Sequence, residues 1–309
     1  MSLLCFMFFF FPMDDTLVPG RKDKVPGRAK NWHLWLLKFQ VVVVYFYGGV
    51  AKITEDWLIY KEPVQTLLRN NSIESDLVTN FICYGGLMFD LSIGFLLLIP
   101  KTRYLAFIGV VIFNISNHML FDDINIFPFM MLFMTIIFIE NKRFGEFQKA
   151  KIQTRIRPVG VIAISLFCLF QALFPLRNLL IPGNVDWTGE AVRFSWRMKA
   201  QTRRVQQMDF KIYDLDTRTI FPVDIDRHIN KIQEVQMAQY PQMMLQFAHY
   251  LGEDTRKRHR KTNIMVKLDS RISMNKREPQ PVVDPEADLL KLKWSTRHND
   301  WILPLKERD

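Results

Sequence analysis

WHLWLLKFQVVVVYFYGGVAKITEDW, residues 32–57, starts as an apolar run and closes on two glycines, a lysine and an acidic turn marked by tryptophan. An unbroken apolar run of about 20 residues is long enough to cross a bilayer as a helix. Outward from it, similar runs occupy residues 81–99, 104–120, 126–139 and 159–174. The first of these is also long enough to span; the others are shorter and must tilt, pack or lean on flanking aromatics. After residue 186 the long apolar runs stop. The composition, 49% hydrophobic with 26 Phe and a mean hydropathy of +0.01, is therefore an average over two unlike halves. The expected organisation is a partial helix and basic loop at 1–30, a multi-pass helical membrane domain of about five spans at 31–180, and an exported domain at 187–309.

Charge gives these crossings a direction, because short loops rich in Lys and Arg stay on the cytoplasmic side. RKDKVPGRAK (21–30), KTR (101–103) and ENKRFGEFQKAKIQTRIR (140–157) are basic, whereas residues 53–76 and FDDIN (121–125) lean acidic. Five crossings alternate consistently and leave the C-terminal domain outside the cytoplasm, in a periplasm or lumen. Nucleic acid is excluded as a partner on that side. Cys5, Cys83 and Cys168 all lie in apolar segments, so the exported domain must fold without disulfides. MSLLCFMFFFFP (1–12) is too short to span and lacks the basic start and cleavage site of a signal peptide. It reads as the tail of a longer helix, with upstream helices expected to be missing.

Within the exported half the periodicity changes to two. Phe194, Trp196 and Met198 alternate with polar residues, as do Met208, Phe210 and Ile212, which is the pattern of half-buried strands. YDLDTRTI (213–220) reads as a hairpin turn, 231–251 as helix restarted at Pro241, and TNIMVKLD (262–269) as a further strand. Pro279, Pro281 and Pro285 mark a loop, and WILPL (301–305) an apolar anchor. An α+β or β-sandwich-like domain is expected.

Polar groups at membrane depth are expensive and therefore informative. Asp90 lies in GGLMFDLSIGF between Gly86 and Gly94, each one turn away on its own face, where a neighbouring helix can approach. It serves either as an interhelical hydrogen-bonding carboxylate or in chemistry. Asn114, Asn117 and His118 follow at helical spacing on one face, either as the polar wall of a pocket or as interhelical hydrogen bonds. No second His, Cys or carboxylate follows at ligand spacing, so no metal is expected. Lys52 closes the outer end of the first helix, near the level of His118, with Gly48 one turn below leaving room for a flat group. Two roles stand open for it. A lysine at a helix end snorkels to the interface as an ammonium, whereas one kept in an apolar pocket gives up its proton more easily and can act as a base.

Six collinear stretches carry a resemblance: WHLWLLKFQVVVVYFYGGVAKITEDWL (32–58), GGLMFDLSIGFLLLIPKTR (85–103), NHMLFDDINIFPFMML (117–132), FSWRM (194–198), YPQMMLQFAHYL (240–251) and WILPL (301–305). Together they resemble the vitamin K-dependent gamma-carboxylase family, including bacterial members with the horizontally transferred transmembrane (HTTM) domain. The resemblance implies an integral protein of a bacterial inner membrane with a periplasmic or lumenal carboxylase-like domain. It also implies vitamin K hydroquinone or a related naphthoquinol as cofactor, dioxygen and carbon dioxide as co-substrates, and a glutamate-containing protein as partner besides membrane lipid. In that family the lysine matching Lys52 is the base that deprotonates the hydroquinone. The anion reacts with dioxygen, the resulting alkoxide takes a γ-proton from glutamate, and carbon dioxide traps the carbanion to give γ-carboxyglutamate and the epoxide. Asn117, His118, Asn114, Gly48 and Asp90 are the residues expected to line the cofactor.

The departures from the family pattern are specific. Its members place an Asn-His pair on a helix upstream of LLCFMFFFFP, and often His where this chain has Asn114. Two function classes follow: an enzyme oxidising a reduced naphthoquinone, with or without carboxylation, or a non-catalytic quinone- or lipid-binding membrane protein of the same fold. A transporter is disfavoured because repeated half-molecules and paired broken helices are missing. RKRHRK (256–261) reads as a solvated loop, with anionic lipid or an acidic protein as the other reading.

Overall fold

The structure, a computed structural model, describes residues 31–120, 126–139, 158–197 and 201–308. The expectations for residues 1–30, for the FDDIN and 140–157 loops, and for Met198 lie outside these. Two compact units emerge: residues 1–50 with 85–171, and residues 51–84 with 172–309.

The first unit is helical. α1 (Asn31–Val50) leads into it, and the chain returns through α4 (Asp76–Leu98), α5 (Arg103–Leu120), α6 (Phe127–Thr135) and α7 (Pro158–Leu173). α2 (Glu55–Leu58) and α3 (Val64–Asn70), which come between, belong to the second unit. Among the described residues four helices are long and apolar enough to cross a membrane, those containing Trp32–Val50, Asp76–Leu98, Arg103–Leu120 and Pro158–Leu180. The stretch at 126–139, expected to be short for a crossing, holds the apolar helix Phe127–Phe138, whose last turn tightens to a 3₁₀ helix. At 1.5 Å per residue it extends about 18 Å, short of the roughly 30 Å hydrocarbon core.

α1 is the most enclosed of the spans, with 61% of its apolar stretch buried, against 11% for the helix starting at Pro158. Two glycines make that possible. A Cβ on Gly94 would lie 2.9 Å from Val42 Cα, and one on Gly49 would lie 2.9 Å from the Leu91 backbone nitrogen. α1 and α4 therefore cross antiparallel at backbone contact, the small-residue packing that drives helix association in lipid. Gly86, expected to do the same, has nothing within 4 Å of its Cβ position. Interhelical hydrogen bonds complete the packing: Asn114 Nδ2 donates to the Tyr45 hydroxyl at 3.0 Å, and Gln171 Nε2 to Gln40 Oε1 at 2.7 Å.

The second unit is α+β. β1 (Arg203–Asp214) is the centre of an antiparallel sheet ordered β2-β1-β3, with β2 at Thr219–Pro222 and β3 at Ile264–Met274. β1 and β3 pair from Arg203↔Met274 to Asp214↔Ile264, with a bulge between Val205 and Gln207. The expected hairpin is present. Asp214 faces Thr219 across it, and the Asp214 carboxylate accepts the Asp216 and Thr217 N–H groups to shape the turn. Met208, Phe210 and Ile212 are buried, as their alternation requires.

Two helices cover the sheet. α9 (Lys231–Gln239) starts with a capping box between Asn230 and Gln233, and α10 (Pro241–His259) restarts at the expected proline. Phe247 meets Phe210 edge to face, and Met244, Leu251, Val266, Leu268 and Ile272 are fully enclosed around them. Each such side chain contributes about 1.5–3 kcal/mol through burial. Cys83 and Cys168 are free thiols. The C-terminal anchor also forms: Ile302 is buried, and Trp187 Nε1 donates to the Leu303 carbonyl at 2.8 Å.

Of the two architectures expected, the domain takes the α+β one: among the described residues there is one three-stranded sheet and no facing sheet. Two expectations are corrected. Phe194 and Trp196 are not in a strand but in a turn, with φ of 62° and 57°. The burial does not follow the alternation either: Phe194 is exposed, whereas Ser195 between the two aromatics is buried and donates to the Val192 carbonyl. RKRHRK is mostly the last turn of α10, with Arg256, Lys257, Arg258 and His259 helical before Arg260 ends it at φ 53°. Cations there complement the negative end of the helix dipole.

Candidate functional site around Lys52

Lys52 follows directly on α1, in a tight turn within the second unit. Its carbonyl accepts the Thr54 N–H at 2.9 Å, and Thr54 then caps α2 (Glu55–Leu58) by accepting the Trp57 N–H on its side-chain oxygen. This ST-type cap turns the chain sharply enough to bring Trp57 back beneath Lys52. The lysine Nζ stands 5.2 Å from the Trp57 ring centroid. Lys52 is only 9% exposed, unusual for a lysine, which is almost never enclosed without partners. Trp57 is itself anchored, its Nε1 donating to the Cys83 carbonyl at 2.9 Å.

The acidic residues of the same turn point into the α+β domain. Asp56 is buried and accepts Asn275 Nδ2 and Arg277 Nη1, each at 2.7 Å, with Arg308 Nη2 at 3.6 Å from its other oxygen. Burial pushes the Asp56 carboxyl up, but the hydrogen bonds from Arg277 and Asn275 and the charges of Arg277 and Arg308 outweigh it. The carboxyl is held below its ordinary range. Glu62, also buried, accepts the Thr66 hydroxyl at 2.6 Å and pairs with Lys276 at 3.2 Å. α3 (Val64–Asn70) continues from there, before the chain enters α4.

A second network lies on the other side of the same turn. The Arg197 guanidinium forks onto the Asp186 carboxylate, Nε at 2.7 Å, and its Nη2 lies 3.5 Å from the Ala51 carbonyl. Asp186 sits in α8 (Val185–Thr188), capped by Asn184. Arg203 donates to the Asp186 and Trp187 carbonyls, and burial lowers its guanidinium to about 10. None of these partners was legible in the sequence. FSWRM was expected to be a strand, whereas its arginine belongs to this buried network.

The expected cofactor residues fall in the helical unit and divide there. Gly48, Asp90 and Asn114 come together: a Cβ on Gly48 would lie 3.7 Å from Asp90 Oδ2, Asp90 and Asn114 are both buried, and Asn114 reaches Tyr45 one turn before Gly49. Asn117 is half-buried and His118 exposed, with its ring against Phe129 at 4.7 Å. The shared face predicted for Asn114, Asn117 and His118 thus runs from the bundle interior at Asn114 out to an exposed end. Elsewhere, a half-open trough of about 410 Å³ runs along α10 between His249, Tyr250, Glu253, Lys293 and Trp294. It contains none of the residues expected to act.

Four apolar helices long enough to cross a bilayer, and a separate α+β unit held by buried ion pairs, define a membrane protein with an appended folded domain. Residues 2–142 match the HTTM domain, and residues 156–308 match the lumenal domain of vitamin K-dependent gamma-carboxylase. The chain belongs to the vitamin K-dependent gamma-carboxylase family. No solved structure matches it.

Proposed function

We propose that the protein is a vitamin K-dependent gamma-glutamyl carboxylase-like enzyme of the membrane, with Lys52 as the base that deprotonates a reduced naphthoquinol. The observation that carries this reading is the enclosure of Lys52: a long cationic side chain, 9% exposed and set over Trp57, on a turn tied down at Asp56 and Glu62. A snorkelling anchor needs none of that fixation, since its amine reaches solvent by its own flexibility.

The residues fit a flat, weakly acidic diol on two counts. An amine is the acceptor that a phenolic proton requires, and an indole face beside it suits an aromatic ring. Bound there, the quinol supplies the reducing equivalents that dioxygen consumes on the way to the epoxide and to carboxylation of glutamate with carbon dioxide. The chain's own work is to accept the quinol proton at Lys52 Nζ and to hold that nitrogen still. Asp90, Asn114, Asn117, His118 and Gly48 are proposed cofactor contacts, Asp90 and Asn114 being polar groups buried within a spanning bundle, where such groups are costly and mark functional sites.

The test is epoxide formation by the purified protein given vitamin K hydroquinone and oxygen, with and without carbon dioxide and a glutamate peptide. Wild type should form epoxide and Lys52→Ala should not. Undiminished epoxidation by the alanine variant overturns Lys52 as base. Tight hydroquinone binding with no turnover by wild type favours the non-catalytic reading.

A further inference from the structure

Asn275, Lys276 and Arg277 are consecutive, and all three grip the segment that carries Lys52. Asn275 and Arg277 hold Asp56, and Lys276 holds Glu62. They form the turn at the end of β3, where Asn275 and Lys276 both take left-handed backbone, φ 50° and 63°. A non-glycine residue there costs of order 1 kcal/mol or more, so two in succession persist only because the surroundings over-determine them. Arg308 closes the grip from the C-terminal segment, donating to the Asn275 carbonyl and lying 4.1 Å over the Tyr60 ring. Asn275 Oδ1 is also used, accepting the Thr202 N–H at 2.8 Å, which fixes the amide against the start of β1.

The acids gripped are not ordinary surface carboxylates. Asp56 and Glu62 are 6% and 2% exposed, and the loop they anchor begins four residues before Asp56 at Lys52. For holding the domain together, a pair anywhere along the loop would serve. Concentrating Asn275, Arg277 and Arg308 on the one carboxylate adjacent to Trp57, whose ring faces Lys52 Nζ, fixes the amine instead. We propose that Asp56 and its partners Asn275 and Arg277 are positioning residues for Lys52: the strained turn 275–277 latches the base in place. The proposal rests on Lys52 being the base, and its test separates the two claims.

The experiment uses the full-length protein in lipid nanodiscs, with wild type, Asp56→Asn, Arg277→Lys and Lys231→Ala as a surface control. The rate at which Lys52 reacts with an amine-selective acylating reagent is read by mass spectrometry across pH, independently of any turnover. Epoxidation kinetics are read in parallel. Asp56→Asn should shift the pH profile of Lys52 acylation and lower kcat about 10- to 100-fold, the size of effect a misplacement near 1 Å produces, with KM for hydroquinone within about 2-fold. Arg277→Lys, which keeps the charge but loses the fork, should move both readouts the same way by less. Lys231→Ala should move neither. An unchanged acylation profile in folded Asp56→Asn overturns the latch. If Asp56→Asn does not fold, Arg277→Lys decides, and a wild-type profile there overturns it equally. If wild type makes no epoxide yet the profile shifts, the latch stands and the enzymatic reading falls.

Discussion

Replacing Asp186 by Asn removes one charge and almost no volume, and the cost follows from the surroundings. Arg197 and Asp186 are 10% and 9% exposed at their side chains, and the fork is two-pronged. Removing one partner of a buried pair leaves an uncompensated charge and costs about 3–5 kcal/mol. The exposed pair Arg227 and Asp224, at 81% and 55%, belongs to the class of surface ion pairs worth about 0–1 kcal/mol. Urea unfolding of the full-length protein in mild detergent should therefore separate the two. With a slope of about 2 kcal/mol per molar, Asp186→Asn lowers the midpoint of the α+β transition by about 1.5–2.5 M, and Asp224→Asn by less than about 0.5 M. Arg197→Gln added to Asp186→Asn removes the orphaned cation, so the double variant should recover about 1–3 kcal/mol relative to the sum of the singles. Equal midpoints for Asp186→Asn and Asp224→Asn, or strict additivity in the cycle, would refute the claim that this pair is structurally distinct because it is buried.

Gly94→Ala sets a Cβ 2.9 Å from Val42 Cα, backbone that cannot step aside. It should destabilise the helical unit by about 1–3 kcal/mol, read as a lower thermal midpoint in detergent, while Gly86→Ala, with open space around it, should change little. The Asp56 carboxyl is held below its unfolded value of about 3.9 because hydrogen bonds and charge from its partners outweigh burial. Its contribution is thus present above pH 4 and is lost as pH falls through the lower folded value. Asp56→Asn should flatten that acid limb of a stability-versus-pH profile.

Much of the architecture was legible because it is local. The apolar run at 32–50 needed only its length, and the alternation of Met208, Phe210 and Ile212 only a period of two. Phe194 and Trp196 misled for the same reason. Two aromatics at period two fit a turn with positive φ as well as a strand, and the pattern alone carries no neighbouring backbone to choose between them. The shortness of the stretch at 126–139 was equally local: its helix runs Phe127–Phe138, with proline at the second position and a 3₁₀ ending.

By itself the sequence determined that the chain is a membrane protein with an appended domain containing strands and helices, and that Lys52 lies at the end of the first span beside an acidic turn. Those features follow from the free energy of moving each residue out of water, which depends on composition and short-range period. Only the tertiary structure decided what Asp56 is for. Its partners Asn275 and Arg277 stand 219 and 221 residues along the chain. A buried charge is indifferent to sequence distance; it requires only that an opposite charge and a donor arrive at 2.7 Å, and which ones arrive is settled when β1 pairs with β3 and carries the 275–277 turn to the loop.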